Sequence, residues 1–223
     1  MTGVTDDPLP VPVSNARVRA TYDRLAGVYE RALGPLEAPS QRRAIATLAE
    51  TVDLRGARIV EVGCGTGARL AGLVHRVGEE GAVVGLDAAA GMVSQARGRG
   101  GQVVRGDARQ LPVASESVDV VCAFDVLELF SREDLARVLD EVRRVLRPDG
   151  RLCAVTMTTA DVPDSRFLQS YEWAYRHLPG AAAVGCRPVD LDAALSAAGF
   201  AVEYGERSLR AGVWPVRTVV ARV

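Results

Sequence analysis

Residues 58–68 have the sequence RIVEVGCGTGA, in which a short β-branched apolar run is followed by glycine at every second position. The run predicts a buried strand, and the spacing of the apolar residues in 69–77 predicts a helix directly after the glycines. Glycine tolerates positive φ and leaves room for a ligand against bare backbone. The free N–H groups at the helix N-terminus would face that ligand. The segment therefore predicts a strand, a ligand-binding glycine loop and a helix.

The loop alone leaves the ligand ambiguous. Residues 63–68 satisfy the dinucleotide pattern G-x-G-x-x-G/A, and Asp87 follows at the distance at which that pattern has an acidic residue. A nicotinamide cofactor is therefore one interpretation. Two features oppose it. Glu61 precedes the first glycine, where a carboxylate would repel a pyrophosphate and favour a cationic ligand, and the third glycine is Gly67 rather than residue 68.

With Glu61 included, the string EVGCGTG (61–67) resembles the cofactor-binding motif of class I S-adenosylmethionine-dependent methyltransferases. In that family the acidic residue lies near the methionine part of the cofactor, whose amino group and sulfonium are cationic. Gly106-Asp107-Ala108, after a third predicted strand, resembles the family's next motif. There the acid accepts from the adenine amino group, which can only donate. The resemblance implies S-adenosyl-L-methionine as the cofactor.

The same resemblance assigns roles at other strand ends. Asp87 can accept hydrogen bonds from both ribose hydroxyls, whichever cofactor binds. A hydrophobic residue matching Met92 covers one face of the adenine in the family, although a methionine that fills the core is an alternative. The predicted cofactor-binding residues are Tyr22, Tyr29, Glu61, Gly63, Cys64, Gly65, Gly67, Asp87, Ala88, Met92, Gly106, Asp107, Ala108 and Phe124.

The N-terminal segment is predicted to close the site. Ser14 can cap a helix over about 15–32, which places Tyr22 and Tyr29 on nearly one face. The pattern Y-D-x-x-A-x-x-Y resembles the segment that folds over the cofactor in ubiquinone- and menaquinone-biosynthesis-type small-molecule methyltransferases. We therefore expect residues 15–52 to form a helical lid. The alternative is a surface helix that packs through its tyrosines.

Two segments of the sequence are predicted to form the substrate-binding side of the site. Asp125 and Glu128 follow the fourth predicted strand, where family members face their substrate, although both could be solvated acids. Residues 158–187 interrupt the strand–helix alternation and carry Phe167, Tyr171 and Tyr175 on one helical face. We expect a substrate-side insertion; a helix that packs into an enlarged core is the alternative. The predicted catalytic residues are His177, chosen because histidine as a residue type commonly serves as a general base, and Asp125.

The composition of the chain limits the classes of partner that we expect. The chain has 27 basic and 28 acidic residues and a net charge of −1, which gives no reason to expect nucleic acid. No apolar run approaches the roughly 20 residues of a membrane span. Residues 1–14 lack the features of a signal peptide and predict a flexible tail on a cytoplasmic protein. The four cysteines are scattered without a C-x-x-C pair, so no metal site is expected.

The whole pattern predicts one α/β domain over 15–223. It is a doubly wound, Rossmann-like, seven-stranded sheet with helices on both faces, and the family places the last strand antiparallel. The expected activity is methyl transfer from S-adenosylmethionine to oxygen, nitrogen or carbon of a small molecule, such as a natural product or a quinone-like compound. The alternatives are an NAD(P)-dependent oxidoreductase and a protein that binds S-adenosylmethionine but catalyses a non-methyl reaction. Sequence does not indicate the oligomeric state.

Overall fold

The computed structural model describes residues 14–159, 166–178 and 185–223. Most of the predicted tail and parts of the predicted insertion, at 160–165 and 179–184, lie outside the described residues. The strands are β1 (Arg58–Val62), β2 (Ala82–Asp87), β3 (Gln102–Arg105), β4 (Val118–Phe124), β5 (Leu146–Met157), β6 (Ala201–Arg210) and β7 (Trp214–Arg222). The α-helices are α1 (Asn15–Ala32), α2 (Gly34–Thr51), α3 (Leu70–Val77), α4 (Ala90–Ala96), α5 (Arg132–Val145), α6 (Arg166–His177) and α7 (Leu191–Ala197).

The strands of the described ranges form one seven-stranded sheet in the order β3-β2-β1-β4-β5-β7-β6. The first five in this order are parallel, whereas β7 runs antiparallel to both β5 and β6. The predicted fold class and the antiparallel last strand are therefore confirmed. The chain order reverses between β1 and β4, and a parallel sheet binds ligands in the crevice at such a switch point.

Hydrophobic residues cover both faces of the sheet. Ile59 is buried with residues of α2 and α3, whereas the next residue, Val60, is buried with residues of α5 and α7. This division follows from the strand geometry, in which successive side chains point to opposite faces. Cys64, Cys122 and Cys153 belong to the α2–α3 side as small buried residues. The two cores hold the carboxyl ends of β1 and β4 rigidly side by side.

Helix α1 lies outside these two cores and packs on α4 at the carboxyl edge of the sheet. Ala26 of α1 is buried against Ala89 and Met92. The Asp23 carboxylate accepts a hydrogen bond of 2.8 Å from the Gly91 N–H, and the Asn15 amide donates one of 2.7 Å to Asp134. These contacts hold α1 across the switch point. No helix of the described ranges is long and apolar enough to cross a membrane.

Two elements begin at positions that local chemistry explains. Helix α2 begins at Gly34, directly before Pro35, because proline at the first helical turn has no N–H that would need a partner there. Strand β5 begins at Leu146. Leu146 pairs with Val118 and Arg151 pairs with Val120, so the strand contains an irregularity between these two pairs.

Candidate functional site

A cleft of about 1100 Å³, including its open mouth, lies where the strand order reverses. Its floor is formed by the loops that follow β1, β2, β3 and β4, and its roof by side chains of α1 and α2. The parallel sheet therefore brings four loops that are distant in sequence to one place. This is the site at which the sequence analysis places a cofactor.

The glycine loop after β1 has three residues in the left-handed region, with φ of 67° at Gly63, 55° at Gly65 and 78° at Gly67. A Cβ atom at Gly63 would lie 2.4 Å from Val126 Cγ2, and one at Gly67 would lie 2.9 Å from Ala96 Cβ. A Cβ atom at Gly65 would meet no atom within 4 Å. Gly63 and Gly67 thus allow the loop to pack, whereas Gly65 leaves open space in the floor of the cleft.

Asp87, at the end of β2, accepts hydrogen bonds that fix the glycine loop and can accept further hydrogen bonds from a ligand. Its two carboxylate oxygens accept hydrogen bonds from the N–H groups of Gly65 at 2.9 Å and Ala89 at 2.8 Å. Burial raises the pKa of this carboxyl, and the backbone N–H groups oppose that shift. A carboxylate oxygen has two acceptor positions. Each oxygen can therefore accept a further hydrogen bond from a hydroxyl group.

Glu61, near the tip of β1, is a buried carboxyl group with one oxygen unsatisfied. Its side chain lines the cleft and the residue is 2% exposed. No hydrogen bond from the described residues reaches Oε2. Burial raises the pKa of Glu61 to about 8, although the nearby Arg69 lowers it. A buried, unpaired carboxyl group is costly. Its presence here indicates that a cationic or hydrogen-bonding ligand completes the site.

The far end of the cleft is formed by the loop after β3. Arg109 donates hydrogen bonds to both oxygens of Asp107, at 3.0 and 2.7 Å, and lowers the pKa of that carboxyl. Arg109 also contacts Asp134, which fixes its position. The Asp107 side chain is 39% exposed and remains able to accept from a ligand. Met92 is buried nearby, in the cluster that includes Ala26.

Comparison with known proteins supports the interpretation from the motifs. A family model described as a methyltransferase domain matches residues 60–154. The malonyl-[acyl-carrier protein] O-methyltransferase of Laribacter hongkongensis is 34% identical over 204 residues, which cover 83% of this chain and 64% of that protein. The chain belongs to the class I S-adenosylmethionine-dependent methyltransferases. The Nocamycin O-methyltransferase of Saccharothrix syringae is 40% identical over 59% of this chain and 48% of that protein.

The chain spans about half to two thirds of the length of these two curated relatives. A solved structure of a SAM-dependent methyltransferase from Aquifex aeolicus has a TM-score of 0.63 and 18% identity, and it covers 92% of this chain and 98% of that one. At this identity the likeness shows the fold. It agrees with the seven-stranded sheet and its antiparallel last strand.

The residues present fit the cofactor of this methyltransferase family. The open space at Gly65 can receive the backbone of a ligand, and the unsatisfied oxygen of Glu61 suits a cationic group. All predicted cofactor-binding residues except Gly67 line the cleft. Gly67 instead supports the loop through its close approach to Ala96. The individual cofactor contacts remain predictions.

The predicted substrate-side acids occupy two different environments. Asp125 lines the cleft, but Arg210 contacts its two oxygens at 2.8 and 3.0 Å and Gln41 donates to one of them at 2.9 Å. Burial raises the pKa of the Asp125 carboxyl group, and the contacts with Arg210 and Gln41 oppose that shift. Both of its oxygens already have partners within the protein. Glu128 does not line the cleft, contrary to expectation. A short 3₁₀ turn at Leu127–Leu129 directs its carboxyl group into the core, where Thr156 donates to it at 2.6 Å.

The structure does not bring His177 to the cleft. The residue is exposed at the end of α6, its ring stacks on Trp173 with centroids 5.2 Å apart, and Nδ1 lies 2.8 Å from the Trp173 carbonyl oxygen. The ring is turned back over the preceding helical turn. The prediction of His177 as the base therefore has no support in this geometry.

The aromatic face of α6 forms a cluster with Trp214 of β7. Phe167, Tyr171 and Tyr175 contact one another along the helix, and Trp214 of β7 joins them with its ring 5.6 Å from that of Phe167. The Tyr171 hydroxyl donates to the Cys186 carbonyl at 2.7 Å. None of these three α6 residues lines the cleft among the described residues. The arrangement matches the alternative of an enlarged core.

Sequence reasoning missed two residues of α2 that line the cleft, Glu37 and Gln41. The Tyr29 hydroxyl donates to Glu37 Oε1 at 2.8 Å across the corner between α1 and α2. One signal was available. The Gly34-Pro35 pair separates two helices by a sharp bend, which brings the last turn of one helix close to the first turn of the next.

Glu128 should make stability depend on pH. Burial raises the pKa of its carboxyl group to about 8, above the value in the unfolded chain. Its contribution to stability is therefore complete at acidic pH and is lost as pH rises through 8. We expect the Tm of the ligand-free protein to fall between pH 6 and pH 9, and Glu128→Gln to reduce that fall. Thermal unfolding by circular dichroism would measure it, with exposed Glu133→Gln as the matched control; equal pH slopes in the two variants would contradict the assignment.

Proposed function

We propose that the protein transfers the methyl group of S-adenosylmethionine to a nucleophilic oxygen, nitrogen or carbon of a small molecule. The observation that carries the proposal is the buried, unsatisfied carboxyl oxygen of Glu61 beside the open glycine loop. A pyrophosphate would face that carboxylate with repulsion, whereas the cationic end of S-adenosylmethionine would be attracted. The NAD(P)-dependent alternative is correspondingly disfavoured.

Each wall of the cleft has a role in this proposal. The bound cofactor supplies a methyl group that is already activated on a positively charged sulfur. Asp87 and Asp107 accept hydrogen bonds from the nucleoside, and Glu61 attracts the cationic end. Tyr22 and Tyr29, whose ring centroids are 5.7 Å apart, cover the cleft from α1 and exclude water. Alignment and exclusion of water are the main contributions that a protein makes to such a displacement.

The small size of the acceptor is supported by the relatives and by the charge. The relatives are named for nocamycin and for malonyl on an acyl carrier protein. The near-neutral chain, with a net charge of −1, lacks the excess of cations that nucleic-acid binding favours.

All four cysteines are free, which agrees with the reducing conditions of the cytoplasm.

The cofactor can be tested by calorimetric titration with S-adenosylmethionine, S-adenosylhomocysteine, NADH and NADPH. We expect the two adenosyl compounds to bind and the nicotinamide compounds not to bind. Asp87→Ala should weaken adenosyl binding at least tenfold, since it removes a charged acceptor of hydrogen bonds. Exposed Asp53→Ala is the matched control. Binding of NADH or NADPH alone would overturn the proposal, and a bound adenosyl compound with an acceptor product of unchanged mass would favour a non-methyl reaction.

A further inference from the structure

The cleft is lined by aromatic and aliphatic side chains as well as by the polar residues of the cofactor-binding floor. These are Tyr22 and Tyr29 from α1, and Leu129 and Phe130 from the segment after β4. Such walls fit a flat aromatic ring, because aromatic pairs stabilise one another beyond the area they bury. One ionisable side chain from α2, Glu37, lines the same cleft and contacts Tyr29.

The Glu37 carboxyl group has one oxygen engaged and one available. The Tyr29 hydroxyl donates to Oε1 at 2.8 Å, while no hydrogen bond from the described residues reaches Oε2. Glu37 lines the cleft and is partly buried. The neighbouring acid, Asp125, is occupied by Arg210 and Gln41. Glu37 thus lines the cleft with one carboxyl oxygen open to an acceptor molecule.

We propose that Glu37 accepts the proton from a hydroxyl group on an aromatic acceptor, so that the enzyme is an O-methyltransferase of phenolic compounds. The inference rests on the proposed function. The Tyr29 phenol already shows the required contact, a phenolic hydroxyl that donates to this carboxylate. The acceptor hydroxyl would make the equivalent contact with Oε2.

The step balances as a substitution at the methyl carbon. The acceptor O–H proton passes to Glu37 Oε2, and an oxygen lone pair forms the new C–O bond. The C–S bond breaks, and its electron pair stays on sulfur, which becomes a neutral thioether. The products are an aryl methyl ether and S-adenosylhomocysteine, and Glu37 later releases its proton to water.

The charges around Glu37 suit this role. Burial raises its pKa to about 7, with a further rise from Asp125, while the hydrogen bond from Tyr29 and the charges of Arg210 and Arg69 lower it. A carboxyl group of this pKa can exchange a proton near neutral pH. The two acids also disfavour an anionic acceptor such as a carboxylate, because like charges repel in a partly buried site. A neutral hydroxyl compound avoids this repulsion.

The test uses two matched probes, 2-naphthol and 2-methoxynaphthalene, with the protein loaded with S-adenosylhomocysteine. The first has the hydroxyl group and the second has it blocked by a methyl group. We expect 2-naphthol to bind on the order of tenfold more tightly at pH 8, because it donates to an ionised carboxylate. Its fluorescence should also show emission from the naphtholate, since excited naphthol is a strong acid that loses its proton to a base in contact.

The variants separate this role from a structural one. Glu37→Gln should abolish both the preference for 2-naphthol and the naphtholate emission, whereas exposed Glu50→Gln on the same helix should change neither. In Tyr29→Phe the lost donor raises the pKa of Glu37 further, so the pH at which the preference develops should move upward. A merely structural role of Glu37 would not produce that movement.

Three results would overturn the inference: no saturable binding of 2-naphthol to the loaded wild type, equal binding of the two probes, or unchanged emission in Glu37→Gln. Methylation of an aromatic amine or ring carbon in preference to the hydroxyl would also overturn it. Calorimetric binding of S-adenosylmethionine is measured separately on each variant. Failure of the proposed cofactor is therefore distinguishable from failure of the Glu37 assignment.

Discussion

Glu61→Gln is expected to weaken the binding of S-adenosylmethionine at least tenfold and to remove most of its dependence on pH. In the free protein, burial raises the pKa of Glu61 to about 8, so the group is mostly protonated at neutral pH. A cationic ligand binds the ionised form. Binding below pH 8 must therefore release a proton, and the Kd should fall by up to about tenfold per pH unit as pH rises towards 8. Above pH 8 the dependence should level off.

Calorimetry in buffers of different ionisation enthalpy would count the released protons directly. The ligand's own amino group titrates equally in the wild type and the variant, so the difference between the two proteins isolates Glu61. Exposed Glu80→Gln serves as the matched control and should behave as the wild type. Equal proton release by the wild type and Glu61→Gln would show that this carboxyl group does not face the cationic part of the ligand.

The fold could be predicted closely because its signals are local. Each parallel strand is a short apolar run, and each helix between strands has apolar residues at helical spacing. The third strand, predicted directly before Gly106, is β3 (Gln102–Arg105), and the helix predicted at about 15–32 is α1. The floor of the cleft could also be predicted, because its residues immediately follow strands whose ends meet at one edge of the sheet.

The substrate side could not be predicted in the same way, because it depends on contacts between distant segments. Asp125 is engaged by Arg210 from β6, and the two are 85 positions apart in the chain. Nothing near Asp125 in the sequence indicates that partner. The prediction of His177 as the catalytic base lacks structural support for a related reason. Its ring type suggested chemistry, but the direction of its side chain depends on how α6 packs against β7, and the ring turns away from the cleft.

The second large effect concerns two glycines of the same loop, which should respond differently to alanine. Both have positive φ, which costs an alanine about 1–2 kcal/mol. At Gly63 the added methyl group would also overlap Val126, so we expect a total loss of roughly 3 kcal/mol and a fall in Tm of roughly 10 °C. At Gly65 the methyl group meets no protein atom, so the loss of stability should be limited to the backbone term.

Gly65→Ala should strongly weaken cofactor binding even though its effect on stability is small. The methyl group of Gly65→Ala would occupy the space that the ligand needs, so we expect the affinity for S-adenosylmethionine to fall at least tenfold, because a steric overlap displaces the ligand from its hydrogen-bonding partners. Gly212→Ala, in the turn between β6 and β7, is the matched control because Gly212 has φ of 75° and an added Cβ there also meets no atom within 4 Å. It should carry a similar backbone cost and keep full affinity. Thermal unfolding and calorimetric titration of the three variants measure both quantities. If Gly65→Ala bound the cofactor as tightly as Gly212→Ala does, the open space at Gly65 would not be the place where the ligand meets the loop.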